Sequence, residues 1–334
     1  MASDVQWQQK TWDAINQAIR DEDGQLNIGK NILPYFQVDS EVPYVPAERI
    51  DPETLTISET DKTSIIEIAV NFALTKAQYK KEDEIPNPGT LAIYAQKDLT
   101  TARDVLLFQG HKGFETDKLF TSNKVIITNG PSNSSRNGFF RSSHNNSLED
   151  FFGPGILGAA ELTGQIVHVE SVEPDPKNPA QNSYGENTFG KVAEAISILR
   201  DAGHIGPFSL VFNIAQFADS LRALRNTLVT PADRIKELIA DHNSLPGATG
   251  PDSKPVRFYG TSAVPPFKGA LISFGGKSVE LVLGMDPTVM LLSETLDGLI
   301  HLSVNDRFAL IIRDFTAIVE FDFLHSDHHE AGKR

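Results

Sequence analysis

The chain has 334 residues, 40% hydrophobic and 22% charged, and its formal net charge of -14 argues against a nucleic-acid groove or an anionic membrane surface as partner. That apolar share supports a sizeable core and excludes wholesale disorder, and the absence of cysteine excludes disulfides, thiolate metal sites and cysteine nucleophiles. No apolar run approaches the roughly 18 residues of a membrane helix, and MASDVQWQQK has neither the basic nor the apolar region of a secretory signal, so a cytoplasmic protein is expected.

The first predicted element is a helix over 5–20. Val5, Trp12, Ile15 and Ile19 form one stripe, and Trp7, Ala14 and Ala18 lie on a second face, so the helix needs two partners. Residues 38–61 are rich in Pro and acids. Ile66, Ile68, Val70, Phe72 and Leu74 then alternate with Glu67, Ala69, Asn71 and Ala73, the pattern of a half-buried strand. Together 50–75 reads as a long hairpin-like excursion with little sequence of its own to bury against. A long helix is predicted over 89–109, with Leu91, Ala95, Leu99, Ala102, Val105 and Leu106 in one arc, Pro88 before it and Gly110 as its C-terminal cap.

Residues 111–152 show neither helical nor strand period and read as a loop or insertion. Asn133 and Asn145 begin glycosylation sequons, expected to be unused without a signal peptide. A strand is predicted at 162–172 and a turn-rich connector at 174–187. Asn187 or Thr188 then caps a helix with a Phe189, Val192, Ile196 and Leu199 stripe, ended by Gly203. IGPFSLVFNI reads as a buried strand after a Gly-Pro turn, and Phe217, Leu221, Leu224 and Leu228 mark another helix. Thr230-Pro231-Ala232-Asp233 opens a helix with Ile235, Leu238 and Ile239 on its apolar face, and 241–255 is a polar loop. From 269 the pattern is strand after strand: ALISFG, VELVLG, TVMLLS, LIHLSV, FALIIR and TAIVEFDF. Mixed helices followed by antiparallel-looking strands predict an α+β fold rather than alternating βαβ units.

The candidate chemical motifs are weak. Gly153-Pro154-Gly155-Ile156-Leu157-Gly158 satisfies G-x-G-x-x-G, but a polar loop precedes it and a strand-like segment follows, so it reads as a turn. Gly275-Gly276-Lys277-Ser278 ends like a phosphate-binding loop, yet Leu271 stands where glycine is required and the segment leads into a strand. His325, His328 and His329 with Asp327 and Glu330 read as a solvated tail rather than a metal site. No catalytic residue, metal ligand or cofactor is predicted. A structural protein fits best, with a soluble enzyme of unrecognised site as one alternative.

Five segments in order carry a family resemblance: Trp12-Asp13-Ala14-Ile15, IIEIAVNFAL, ARDVLLFQG, AEAISILRDAGHIGPFSLVFNIAQF, and VELVLGMDPTVML with the closing strands 299–323. Collinear from about residue 7 to 323, they resemble the encapsulin shell proteins, the linocin-type bacteriocin family of bacterial and archaeal nanocompartments. The resemblance implies the HK97 phage major-capsid fold. Its parts would be an N-terminal helix and arm at 1–37, an extended E-loop at 38–75, and a discontinuous P-domain at 76–212 and 284–324 with a long spine helix and the insertion 111–152. An A-domain at 213–283 and an exposed tail at 325–334 complete it. It also implies self-assembly into an icosahedral shell enclosing a cargo enzyme, so the expected partners are further copies of the chain and a cargo targeting peptide. A tailed-phage major capsid protein is the other reading of the same fold; such a chain usually begins with a long scaffolding segment, whereas the first helix here is predicted from residue 5.

The family's cargo pocket maps onto two segments. Gly29-Lys30-Asn31-Ile32-Leu33-Pro34 stands against a family Gly-Arg-x-Phe-x-Asp: Lys30 keeps the charge without the bidentate fork, Ile32 keeps an apolar wall, and Pro34 replaces an acid. Gly284-Met285-Asp286-Pro287-Thr288-Val289 supplies the second segment. Lys30, Ile32, Asp286 and Val289 are therefore expected to form an apolar slot with one charge of each sign at its rim. Asp286 also reads simply as a turn residue before Pro287. Some members bind flavin beside an aromatic residue after the E-loop; Thr75-Lys76-Ala77-Gln78-Tyr79 offers only Tyr79, so flavin is not expected.

Overall fold

A computed structural model describes residues 9–51, 54, 56–58, 62–80, 87–129, 148–172, 183–224, 227–243, 257–295 and 298–324. In chain order the helices are α1 Gln9–Leu26, α2 Ile28–Ile32, α3 Lys76–Lys80, α4 Asn87–Thr116, α5 Lys118–Thr121, α6 Leu148–Phe152, α7 Gly155–Thr163, α8 Glu186–Asp201, α9 Ile214–Ser220 and α10 Pro231–Asn243. The strands are β1 Tyr35–Gln37, β2 Tyr44–Pro46, β3 Arg49–Asp51, β4 Thr56–Ser58, β5 Lys62–Ser64, β6 Ile66–Thr75, β7 Ile126–Ile127, β8 Ile166–Glu170, β9 Phe208–Asn213, β10 Phe258–Thr261, β11 Lys268–Ser273, β12 Val279–Glu294, β13 Leu299–Ile312 and β14 Ile318–Leu324. One five-stranded sheet runs β1-β12-β13-β6-β7, a second runs β10-β9-β11-β14-β8, and two ribbons, β2-β5 and β3-β4, stand apart. The architecture is α+β, as the pattern predicts.

The alternation at 66–75 is a strand in register, with Ile66, Ile68, Val70 and Leu74 buried. It lies between β13 and β7 and packs on α4. The expectation that all of 50–75 lacks a partner is therefore corrected: the half-buried strand finds its sheet, and the residues before it make the ribbons. The six strands expected after 269 are four. Gly284 and Pro287 read as breaks, but β12 absorbs them at register shifts between Leu283 and Met285 and between Met285 and Thr288.

In α1, Ile15 and Ile19 are buried and Trp12 packs against the same core, whereas Ala14 on the second face is exposed; Val5 and Trp7 lie outside the described residues. Helix α4 breaks where Gly110 predicts a cap (φ 56°, ψ -136°), then resumes to Thr116. The break seats a crossing. A Cβ on Gly110 would lie 2.3 Å from the Gly153 carbonyl oxygen, one on Gly155 would lie 2.4 Å from the Gly110 nitrogen, and His111 N–H donates to Gly153 O at 3.1 Å. The expectation of a turn over 153–158 is corrected, since Gly155–Gly158 opens α7; the glycines serve close backbone approach.

Residues 111–129 are not structureless, since they hold the end of α4, α5 and β7. Residues 130–147, with both sequons, lie outside the described residues, as do most of 241–255 and the His-rich tail. The strand expected at 162–172 is β8, starting at Ile166 because 162–163 form the last residues of α7. Helix α8 begins after Gly185 without a side-chain cap; Asn187 Nδ2 instead donates to Glu170 O at 3.0 Å, and Thr188 is buried. Helix α9 stops at Ser220, leaving Leu221 and Leu228 exposed outside it. Thr230 caps α10 as expected: its Oγ1 accepts from Asp233 N–H at 3.1 Å. Gly275–Lys277 forms a short turn into β12 rather than opening a helix.

Two cores result. The larger joins α1, α4 and α7 to the first sheet; the smaller packs Val192, Ile196, Leu199, Ile235 and Ile239 against the second. In the smaller core Phe212 meets Phe258, Phe321 and Phe323 edge-on, with ring centroids 5.1–5.3 Å apart.

Candidate functional site

The four residues expected to form a slot divide into two kinds. Lys30 and Asp286 come together: Lys30 Nζ lies 3.5 Å from Asp286 Oδ1 and 2.7 Å from Asp23 Oδ2. Gln37 Nε2 reaches the other Asp286 oxygen at 3.5 Å. Asp286 is 46% exposed and Lys30 18%, so the pair marks an accessible rim. Ile32 is 0% exposed and Val289 5%. Both belong to the main core, and Val289 N–H donates to Asn16 Oδ1 of α1 at 3.0 Å. An apolar slot walled by Ile32 and Val289 is therefore not open. Helix α1 holds Val289 through Asn16, and Ile32 lies fully inside the same core.

Beside the rim pair, β1 runs parallel to β12, with Tyr35 opposite Leu281 and Gln37 opposite Leu283. Alternate strand residues share a face, so Tyr35 (55% exposed) stands on the face where Gln37 meets Asp286. The outer edge of β1 has no strand partner among the described residues.

Beneath the rim lies a charge cluster that sequence spacing did not reveal. Arg103 of α4, fully buried, puts Nη2 2.5 Å from Asp23 Oδ1 and Nη1 2.5 Å from Asp306 Oδ2 on β13. The neighbouring Asp104 accepts from the Ile28 and Gly29 N–H groups, both at 3.1 Å, and so caps the N-terminus of α2. A side chain on Gly29 would place Cβ 2.5 Å from Leu107 Cδ1, so a larger residue there would have to push the Leu107 side chain aside. Thr100 Oγ1 also donates to Asp23, at 3.2 Å.

The environments split these carboxyls. Burial pushes Asp104 up to about 6 against the opposing pull of Arg103 and of the two backbone donors. Burial likewise raises Asp306. For Asp23 burial acts in the same sense, but the charges of Arg103 and Lys30 overcome it and hold the carboxyl at about 2. The sequence signal was present: Arg103-Asp104 interrupts a stretch, 102–108, whose other residues are all apolar and which is buried on every face.

The cluster joins α1, α2, α4 and β13, and its groups pair with one another. Among the described residues no group of His, Asp or Glu is placed to hold a metal ion, and no helix is long and apolar enough to cross a membrane.

The family described as "Encapsulating protein for peroxidase" matches residues 163–245, the stretch from the end of α7 through α10. No curated protein sequence matches the chain. Among solved structures, the virus-like particle from Pyrococcus furiosus is similar at 12% identity and TM-score 0.57, covering 93% of this chain and 99% of that one. Mycobacterium phage Bobi is similar at 15% identity and TM-score 0.53, covering 90% and 91%, and Mycobacterium phage Adephagia at 14% and 0.51, covering 90% of each. At such identities it is the fold that is shared. The chain thus has the HK97-like capsid fold, with a match to the encapsulating-protein family over 163–245.

Proposed function

We propose that many copies of this chain assemble into a closed shell that encloses a cargo enzyme. The observation that carries this reading is the loop at 44–64. Its ribbons pair β2 with β5 and β3 with β4, and neither joins a sheet. Only its base is anchored, where Val45 and Ile65 pack on Val282, Ala309 and Ile311; farther out, Ile57 is exposed. A lone two-stranded ribbon is marginal in water and has two open edges. A neighbouring copy in a symmetric assembly supplies the missing packing.

The family signature supports an enclosed enzyme as the contents. For its targeting peptide, the open ground is the face of β1 beside Lys30 and Asp286. An extended peptide there gains main-chain bonds from the strand edge and a charge contact at the rim.

Electron microscopy and size-exclusion chromatography of the chain expressed alone test the reading. Hollow particles tens of nanometres across are expected, filled with protein when a cargo enzyme is co-expressed. Monomer or dimer alone overturns it. DNA-filled heads would support a phage major capsid protein instead, the reading favoured by the two mycobacteriophage similarities.

A further inference from the structure

The first sheet ends, toward Glu294, in two unlike edges. On one side Met290, Leu291 and Leu292 of β12 are all exposed, and β1 covers that strand only at 281–283. Pairing with β13 jumps from Leu291–Leu302 to Ser293–His301, so Leu292 is the extra residue of a bulge. Such a bulge re-aims side chains on an edge strand. The result is an apolar ridge.

On the other side β7 pairs only with Ile68 and Ala69. Past it, β6 and α4 open a cleft of about 270 Å³, lined by Val70, Phe72, Leu91 and Tyr94, with the Asp98–Lys124 ion pair at its rim. That is below the roughly 300–1,000 Å³ of small-molecule pockets and suits a few aliphatic side chains. Leu291, Leu302 and Phe72 stand opposite one another across three strands. Ridge and cleft therefore share one cross-strand row, with the two outer strands about 10 Å apart.

We propose that the Met290–Leu292 ridge of one copy docks into the Phe72–Leu91–Tyr94 cleft of the next, head to tail, closing a ring of subunits. This rests on the shell-building reading and names one of its seams. The occupant is a second copy because ridge and cleft are complementary surfaces carried by the same chain at opposite edges of one sheet. A two-fold pairing of ridge with ridge leaves every cleft bare, whereas a head-to-tail contact covers both and closes when the rotation allows.

The chain has no cysteine, so an introduced pair reports the contact cleanly. Leu291→Cys combined with Tyr94→Cys is expected, on oxidation of assembled particles, to give a ladder of covalent multimers on a non-reducing gel, because docking brings the two positions within disulfide reach. Neither single variant gives the ladder. Leu91→Cys offers a second partner for Leu291→Cys from the same cleft. Leu292→Asp places a carboxylate in the docked seam and is expected to lower particle yield at least about tenfold with secondary structure unchanged. Particles of both double variants that stay monomeric on the gel, efficient dimers from Leu291→Cys alone, or wild-type yield from Leu292→Asp each overturn the docking while leaving the shell reading standing. A wild-type chain that stays monomeric overturns both.

Discussion

Arg103 and Asp306 meet through Nη1 and Oδ2 at 2.5 Å, with neither side chain exposed to solvent. The second arm of the same guanidinium holds Asp23, so one planar fork fastens α1 and β13 to α4. Arg103→Met removes the cation and strands two buried carboxylates. A loss of about 3–5 kcal/mol is expected, read from denaturant midpoints. The double variant Arg103→Met, Asp306→Leu should recover part of that loss, because the charge left behind is what costs most. A double variant no better than the single would show that packing, not charge, dominates the site.

The cluster also sets a pH dependence. Asp104 holds its proton up to about pH 6, above the ordinary carboxylate range, so the folded chain binds that proton more tightly than the unfolded chain does. Its contribution to stability is largest at and below the unfolded value and falls as pH rises toward 6. Asp306 acts in the same sense. Asp23, held at about 2, acts oppositely: its contribution is present above the ordinary value and lost as pH falls through 2. Thermal midpoints should therefore decline between pH 4 and 6 (the window is set by the ordinary and the raised values). Asp104→Asn should flatten that decline; an unchanged slope would assign it to other groups.

The crossing of α4 and α7 separates two effects of glycine. Gly153 has φ +70° but open space around its Cβ position, so Gly153→Ala carries only the left-handed cost of roughly 1–2 kcal/mol. Gly110 has φ +56° and a carbonyl oxygen 2.3 Å from that position. Gly110→Ala should cost clearly more than Gly153→Ala in parallel melts, and equal losses would mean that the two backbones part easily.

Removing the outer ribbon, 49–58, should leave circular dichroism unchanged and abolish closed particles. The cut spares β6, which is integral to the first sheet. Intact shells from the deletion would show that the loop is dispensable for closure.

At the proposed cargo face, Tyr35→Asp should leave particles intact and lower the ratio of cargo to shell. Ile32→Asp should yield little soluble protein, since it buries a carboxylate in the core. Normal loading in Tyr35→Asp would move the peptide elsewhere.

How much of this was legible depended on range. Local signals read well: the period of two at 66–75, the break at Gly110 and the cap at Thr230 all act within a few residues. Where a local signal had two physical outcomes, the reading failed. Gly284 and Pro287 can end a strand or bend one, and the glycines at 153–158 can make a turn or open a helix. The charge cluster was beyond reach for a different reason. Arg103 and Asp306 are 203 residues apart, and the composition of neither segment names the other. Lys30 and Asp286 were paired through the family resemblance, but that pattern could not say that Ile32 and Val289 had been drawn into the core.

The strand β1 has a consequence for timing. Its neighbour β12 is made far later, and Gln37 waits for Asp286 across 249 residues. At roughly 5–20 residues per second of synthesis, the surface beside Lys30 cannot exist for some tens of seconds after its own residues leave the ribosome. A nascent chain therefore lacks this surface. On the proposed function, any loading there would follow completion of the polypeptide, and a cargo enzyme translated nearby would compete with shell closure rather than with subunit folding.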